Sequence, residues 1–150
     1  MTARHGSYID LLGVFRQYGN DVGRELFARV AFNIAISNTD DHLRNHAAFW
    51  DGYRLELTPA YDLSPMIRSG ETASQAIAYS SDGERVSNLT ALGKCAGEYG
   101  LTRAAGAEVI DRIVDTIRSQ WDAAADVARL TQAERDALYG RQFLNPGSTR

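Results

Sequence analysis

The chain is poor in several residue types whose presence would mark a class at once. Cys95 is the single cysteine among 150 residues, so no disulfide can close within the chain and no cysteine-rich zinc site can form. Lys94 is the only lysine, the other fifteen basic residues being arginines, so lysine-dependent chemistry must use Lys94 or borrow from another chain. No apolar run approaches the roughly 20 residues that a membrane-spanning helix needs. Residues 1–6 lack the apolar stretch of a secretory signal, and a cytoplasmic protein is expected. The net charge of -3 and a pI near 5.6 disfavour a general binder of nucleic acid or anionic membranes. What remains is a globular composition, 44% hydrophobic and 23% charged, long enough for one domain with its own core.

Helical spacing dominates both ends. Ser7 is a candidate N-cap for a helix over 8–18 with Ile9, Leu12 and Phe15 on one face, stopped by Gly19. A longer helix is expected from Asn20 or Asp21 to about Ser37-Asn38, buried through Leu26, Phe27, Val30, Ile34 and Ala35. Runs at 47–50 and 53–57, divided by Asp51-Gly52, predict a β-hairpin. Pro59 and Pro65 exclude regular helix over 58–65. Residues 66–85 carry the weakest pattern, with a short strand expected at 76–79 and a turn at Asp82-Gly83. Beyond them, Ser87 or Asn88 can cap a helix ending before Gly100, and Thr102 a long one with Val109, Ile110, Ile113, Val114, Ile117 and Trp121 as core. Thr131 and Glu134 fit a capping box, and 145–150 read as a frayed, disordered tail. The whole, 1–150, is expected to be a single mainly α domain with one small hairpin.

Between the buried helix and the hairpin the sequence turns polar, Asn38-Thr39-Asp40-Asp41-His42-Leu43-Arg44-Asn45. Core packing does not ask for adjacent carboxylates, which repel and resist desolvation. Asp40, His42 and Asn45 form D-x-H-x-x-N, with the carboxylate-to-asparagine offset of the kinase catalytic loop, H-R-D-x-x-x-x-N. In that chemistry the aspartate accepts the substrate hydroxyl proton, and the asparagine and a second aspartate beyond a hairpin hold magnesium. Asp62, in Tyr61-Asp62-Leu63 after the hairpin, stands in that order. Magnesium takes hard oxygen ligands, which Asn45 and Asp62 supply; His42 stands where it could contact a transferred phosphoryl group.

The stretch from Phe32 to His46 and the stretch Leu57-Thr58-Pro59-Ala60-Tyr61-Asp62-Leu63 closely resemble the HipA family of bacterial toxin-like serine/threonine kinases. The D-x-H-x-x-N variant is also shared with phosphatidylinositol kinases. The resemblance covers essentially the whole chain and implies the helical C-lobe of a two-lobed kinase fold. It implies Asp40 as the catalytic aspartate, His42 as an active-site auxiliary, and Asn45 and Asp62 as ligands of Mg2+ with ATP as phosphoryl donor. It further implies a HipB-like helix-turn-helix antitoxin as partner and, from the best-known member, glutamate–tRNA ligase as a substrate. The sequence holds no G-x-G-x-x-G loop and no P-loop, and Lys94 falls on an expected helix far downstream. The lobe alone is therefore expected to be inactive without a nucleotide-gripping N-lobe; if that N-lobe is supplied in trans by a separate chain, it is expected to dock on an apolar surface beside the hairpin.

Blander roles compete at each position. A non-catalytic remnant lobe that binds an antitoxin or a partner kinase is the alternative function. Asp41 reads as structural, His46 as a hydrogen-bonder beside Asn45, Tyr61 as packing next to Asp62, Cys95 as a small buried apolar residue, and the arginines as solvated. The H-x-x-x-H spacing of His42 and His46 also matches a zinc helix, but Leu43 stands where the hydrolytic glutamate is required.

Overall fold

Ser7 caps the first helix, α1 (Tyr8–Gln17), in the computed structural model, which describes residues 6–149. The cap is reciprocal: Ser7 Oγ accepts the Asp10 N–H at 3.1 Å, and the Asp10 carboxylate accepts the Ser7 N–H at 2.8 Å. Its inner face is Tyr8, Leu12 and Phe15. α2 (Gly23–Ala35) is shorter than its apolar pattern suggests. The Asp21 carboxylate holds the Gly23 N–H at 3.1 Å at one end, and Ser37 takes a left-handed φ of 57° just past the other. Leu26, Phe27, Val30, Ile34 and Ala35 are buried as their spacing predicts, each large side chain contributing roughly 1.5–3 kcal/mol. Arg29 and Asn33 are buried beside them.

The hairpin pairs β1 (Ala48–Trp50) with β2 (Leu55–Leu57) antiparallel, in the register Ala48↔Leu57 and Trp50↔Leu55. Its connection runs over 51–54 rather than the two residues that Asp51-Gly52 suggested. The Asp51 carboxylate accepts the N–H groups of both Tyr53 and Arg54 at 2.8 Å, so the chain rounds the aspartate before pairing begins. Asn20 pins the hairpin to the α1–α2 connection, donating to the Leu55 carbonyl at 2.8 Å and accepting from Arg54 at 2.8 Å.

No helix forms over 58–88, and the strand expected at 76–79 is absent. The reason lies in where its backbone groups go: Ala76 N–H bonds the Thr39 carbonyl at 2.9 Å, and Ala78 C=O receives the Tyr8 N–H at 2.9 Å. Pairing within the segment is reduced to a bridge between Ser74 and Val86, the Tyr79 N–H on the Glu84 carbonyl at 2.9 Å and a turn closed by Gly83 N–H on the Ser80 carbonyl. Ile77 and Tyr79 are nonetheless fully buried.

Asn88 caps α3 (Leu89–Lys94), which runs into a 3-10 turn (Ala96–Tyr99) ended by left-handed Gly100. Thr102 caps α4 (Arg103–Val127), and Thr131 with Glu134 forms the expected capping box on α5 (Gln132–Leu138). α2 is the centre of the packing, touched by α1, α3, α4 and the last helix, α6 (Pro146–Thr149). Trp121 is half-buried rather than central. Its ring meets those of Tyr139 and Phe143 at tilts of 46° and 50°, at the edge of an apolar cavity of about 580 Å³ between α2, α4 and α5. The described residues contain no helix long and apolar enough to cross a membrane.

The stretch read as a frayed tail is packed. Leu144 N–H bonds the Ala35 carbonyl at 2.8 Å, Asn88 donates to the Gly147 carbonyl at 3.1 Å, and Ser148 is fully buried. Asn145 bonds within the fold rather than facing solvent, donating to the Arg141 carbonyl at 2.9 Å and accepting the Gly147 N–H at 2.9 Å. Arg150, the end of that stretch, lies outside the described residues.

Candidate functional site

The polar loop leaves α2 under tight backbone control. Left-handed Ser37 donates its hydroxyl to the Gln142 carbonyl at 2.6 Å, and its own carbonyl accepts the Met66 N–H at 3.1 Å. Asn38 N–H returns to the Asn33 carbonyl at 2.8 Å. The loop closes in a 3-10 turn (Leu43–Asn45), with Asn45 N–H on the His42 carbonyl at 2.8 Å. A loop bonded at both ends presents its side chains from a fixed platform.

On that platform Asp40 is exposed, His42 is half-buried and Asn45 is buried. The His42 Nδ1 atom is enclosed and has no hydrogen-bond partner among the described residues. Asp62 is exposed and holds a left-handed φ of 56°, a conformation that aspartate tolerates better than most residues but that still costs free energy. Two hydrogen bonds draw the segment around Asp62 to the loop, and a third ties it to α2. Asn38 Nδ2 donates to the Asp62 carbonyl at 3.4 Å, and Tyr61 hydroxyl to the Arg44 carbonyl at 2.8 Å. Arg29 donates to the Thr58 carbonyl at 2.6 Å from inside α2. Asn45 and Asp62 therefore sit on segments tied to each other. Their amide and carboxylate oxygens are the donor class that magnesium prefers, so the residues present suit that ion.

Behind the loop lies a buried polar cluster that the sequence pattern did not reveal. The Asp41 carboxylate accepts from the Tyr8 hydroxyl, from Asn33 Nδ2 at 2.8 Å and from His46 Nε2 at 3.1 Å, all on one oxygen. Asn33 Oδ1 accepts from Asn38 Nδ2 at 3.0 Å. Burial, reinforced by the Asp41 charge, pushes the Tyr8 phenol well above its ordinary pKa, so it stays a donor. One signal was available: Asn33 is a polar residue in the buried stripe of α2, where only a partner makes it tolerable. The structural reading of Asp41 and the hydrogen-bonding role of His46 both hold.

Other expectations change. Tyr61 is partly exposed and works through its hydroxyl rather than by packing. Arg29 is not solvated; it is buried, pairs with Glu25 at 2.9 Å and anchors Thr58. Cys95 is only half-buried, its thiol on the Ala91 carbonyl. The zinc alternative fails on geometry. His46 directs Nε2 to Asp41, the two histidines flank a 3-10 turn rather than share a helix, and no group of three His, Cys, Asp or Glu among the described residues could hold a metal ion.

The hairpin side carries the apolar surface expected there. Phe49, Trp50 and Tyr53 are 63%, 53% and 89% exposed, and Tyr18 meets Trp50 edge to face. Residues 1–121 match the family model of the HipA-like C-terminal domain. No curated protein and no solved structure matches the chain.

Proposed function

We propose that this chain, which belongs to the HipA-like C-terminal domain family, is the helical C-lobe of a two-lobed serine/threonine kinase fold. It supplies the catalytic loop for magnesium-dependent transfer of the ATP γ-phosphoryl group to a protein hydroxyl. The observation that carries this reading is the pair of hydrogen bonds, Asn38 to the Asp62 carbonyl and Tyr61 to the Arg44 carbonyl, that joins the Asp62 segment to the D-x-H-x-x-N loop. A loop and a carboxylate joined across a hairpin are what phosphoryl transfer needs from this lobe.

In the reaction the substrate hydroxyl oxygen bonds to the γ-phosphorus as the bond to the β,γ-bridging oxygen breaks, releasing ADP. Asp40, exposed on its fixed loop, orients the hydroxyl and accepts its proton. His42 contributes a hydrogen bond to the transferred phosphoryl group. Asn45 and Asp62 would hold magnesium, which supplies neutralisation of the charge on the phosphate oxygens. A second lobe, on the same polypeptide or another, grips the nucleotide, and the exposed aromatic face of the hairpin supports its docking there. A HipB-like helix-turn-helix antitoxin as partner, glutamate–tRNA ligase as substrate and a cytoplasmic setting follow from the family likeness.

The same aromatic face supports a second reading, a non-catalytic lobe that binds an antitoxin or a partner kinase. Calorimetric titration with ATP, with and without magnesium, separates the two, using Asp62→Asn as control. Magnesium-dependent binding that the substitution abolishes supports the kinase reading. Absence of binding at millimolar ATP leaves either a kinase-shaped scaffold that acts as a binding module or a lobe inert until its second lobe arrives, and the titration is then repeated with that second lobe present.

A further inference from the structure

We propose that Asp41 is the positioning residue of the metal pair: one buried carboxylate oxygen sets both segments that carry Asn45 and Asp62. The inference rests on the reading that these two residues hold magnesium. The Asp41 side chain is 5% exposed and cannot meet substrate or nucleotide, so any influence must travel through its partners.

Two arms leave the carboxylate. The first is direct: His46, its own side chain 3% exposed, brings Nε2 to Asp41 at 3.1 Å and is the residue after Asn45. The second has two steps. Asn33 must turn its NH2 group toward the carboxylate, which leaves Oδ1 facing away to accept from Asn38 at 3.0 Å. The Asn38 amide then also reaches the Asp62 carbonyl, at the residue held in left-handed backbone. Negative charge at Asp41 thus dictates the orientation of Asn33, and through it which group faces Asp62. An amide at position 41 presents both a donor and an acceptor and removes that dictation. Tyr8 adds a third donor to the same oxygen and fixes the hub to α1. The three donors converge on one Asp41 oxygen and hold the segments that carry them, while His46 Nδ1 is enclosed with no partner among the described residues. Partners one step behind metal ligands typically change affinity by about 10–100-fold when removed.

The test is Mn2+ binding by the purified chain, read as loss of the free-ion electron paramagnetic resonance signal, at a temperature where circular dichroism shows each variant folded. Asp41→Asn, Asn38→Ala and His46→Leu are each expected to weaken binding by about tenfold or more. His46→Gln, which keeps an N–H donor, is expected to restore it to near the wild-type value. A merely structural Asp41 would lower the melting temperature and leave the affinity of the folded protein unchanged. Should Asp41→Asn fail to fold, Asn38→Ala and His46→Leu carry the test, because each cuts one arm and leaves the hub. Wild-type affinity in both arm variants overturns the proposal alone. Wild-type chain that binds no Mn2+, or binding that survives Asp62→Asn, overturns the magnesium reading and this proposal with it.

Discussion

Asp40 and Asp41 are chemically identical neighbours with opposite surroundings, and the difference assigns their work. Asp40 is exposed with its carboxylate open, whereas Asp41 is buried under donors from Tyr8, Asn33 and His46. A proton acceptor for substrate must be reachable; a hub must not be. Asp40→Asn is accordingly expected to lower phosphoryl transfer by about 10²–10⁴-fold in the enzyme completed by its second lobe while leaving Mn2+ affinity unchanged. Asp62→Asn is expected to lose both. Transfer assays run beside metal titration check the pair, and a fully active variant of either kind removes the role given to that residue. The D-x-H-x-x-N spacing was enough to single out the exposed aspartate. Nothing in the spacing showed that Asn33 and Tyr8, 8 and 33 positions from Asp41, would converge on its neighbour.

At the scale of elements, caps were legible and close approaches were not. Ser7, Asn88, Thr102 and Thr131 all cap the helices that follow them, because a cap is decided within four residues. Glycines show the opposite case. Gly13 lies on the exposed face of α1 with open space where a Cβ would stand, whereas a Cβ on Gly23 would lie 2.1 Å from the Tyr99 carbonyl oxygen. Gly13→Ala is expected to stabilise the fold by about 0.5–1 kcal/mol, the ordinary helix-interior gain. Gly23→Ala is expected to destabilise it by about 1–3 kcal/mol, since a backbone carbonyl must move. Urea midpoints of the two variants decide the matter; equal signs would mean that the α2 start can shift away from the Ala96–Tyr99 turn at no cost.

Across the whole molecule, three tyrosines pack their rings in the core while their hydroxyls bond inward. Tyr99 donates to the Tyr79 carbonyl and Tyr79 to the Val86 carbonyl, each at 2.8 Å, and Tyr8 donates to Asp41. Burial raises all three phenols above the ordinary value of 10.0. A group with a raised folded pKa lends stability that is complete below its unfolded pKa and is lost as pH rises past it. The Cys95 thiol, also raised by burial from 9.0, adds an earlier and smaller loss. The protein should therefore melt at nearly constant temperature up to about pH 9 and progressively lower above it, most steeply past about pH 10, with Tyr8 alone contributing up to about 1.4 kcal/mol per pH unit. Melting curves from pH 8 to 11 test this. Tyr8→Phe should show a shallower alkaline fall even if it starts from a lower melting temperature, and an unchanged slope would mean that Tyr8 ionises without unfolding.

What the amino-acid order determined by itself was whatever short-range geometry decides. It set the helices from their 3.6-residue spacing and caps, the hairpin from two apolar runs around Asp51-Gly52, and the catalytic-loop signature from residues within one loop. Family membership was legible for the same reason, since its motifs are local. Tertiary structure alone decided the fate of 66–85, where Ala76 and Ala78 bond the distant Thr39 and Tyr8 and only a few backbone bonds form within the segment. It alone turned 145–149 from an apparent tail into a packed end and drew Arg29 inward to Thr58. Each of these outcomes depends on partners tens of residues away. Polar residues such as Asn33, Asp41 and Asn145 are neutral in a local pattern, and only the groups that fold against them decide whether they meet solvent or form the interior.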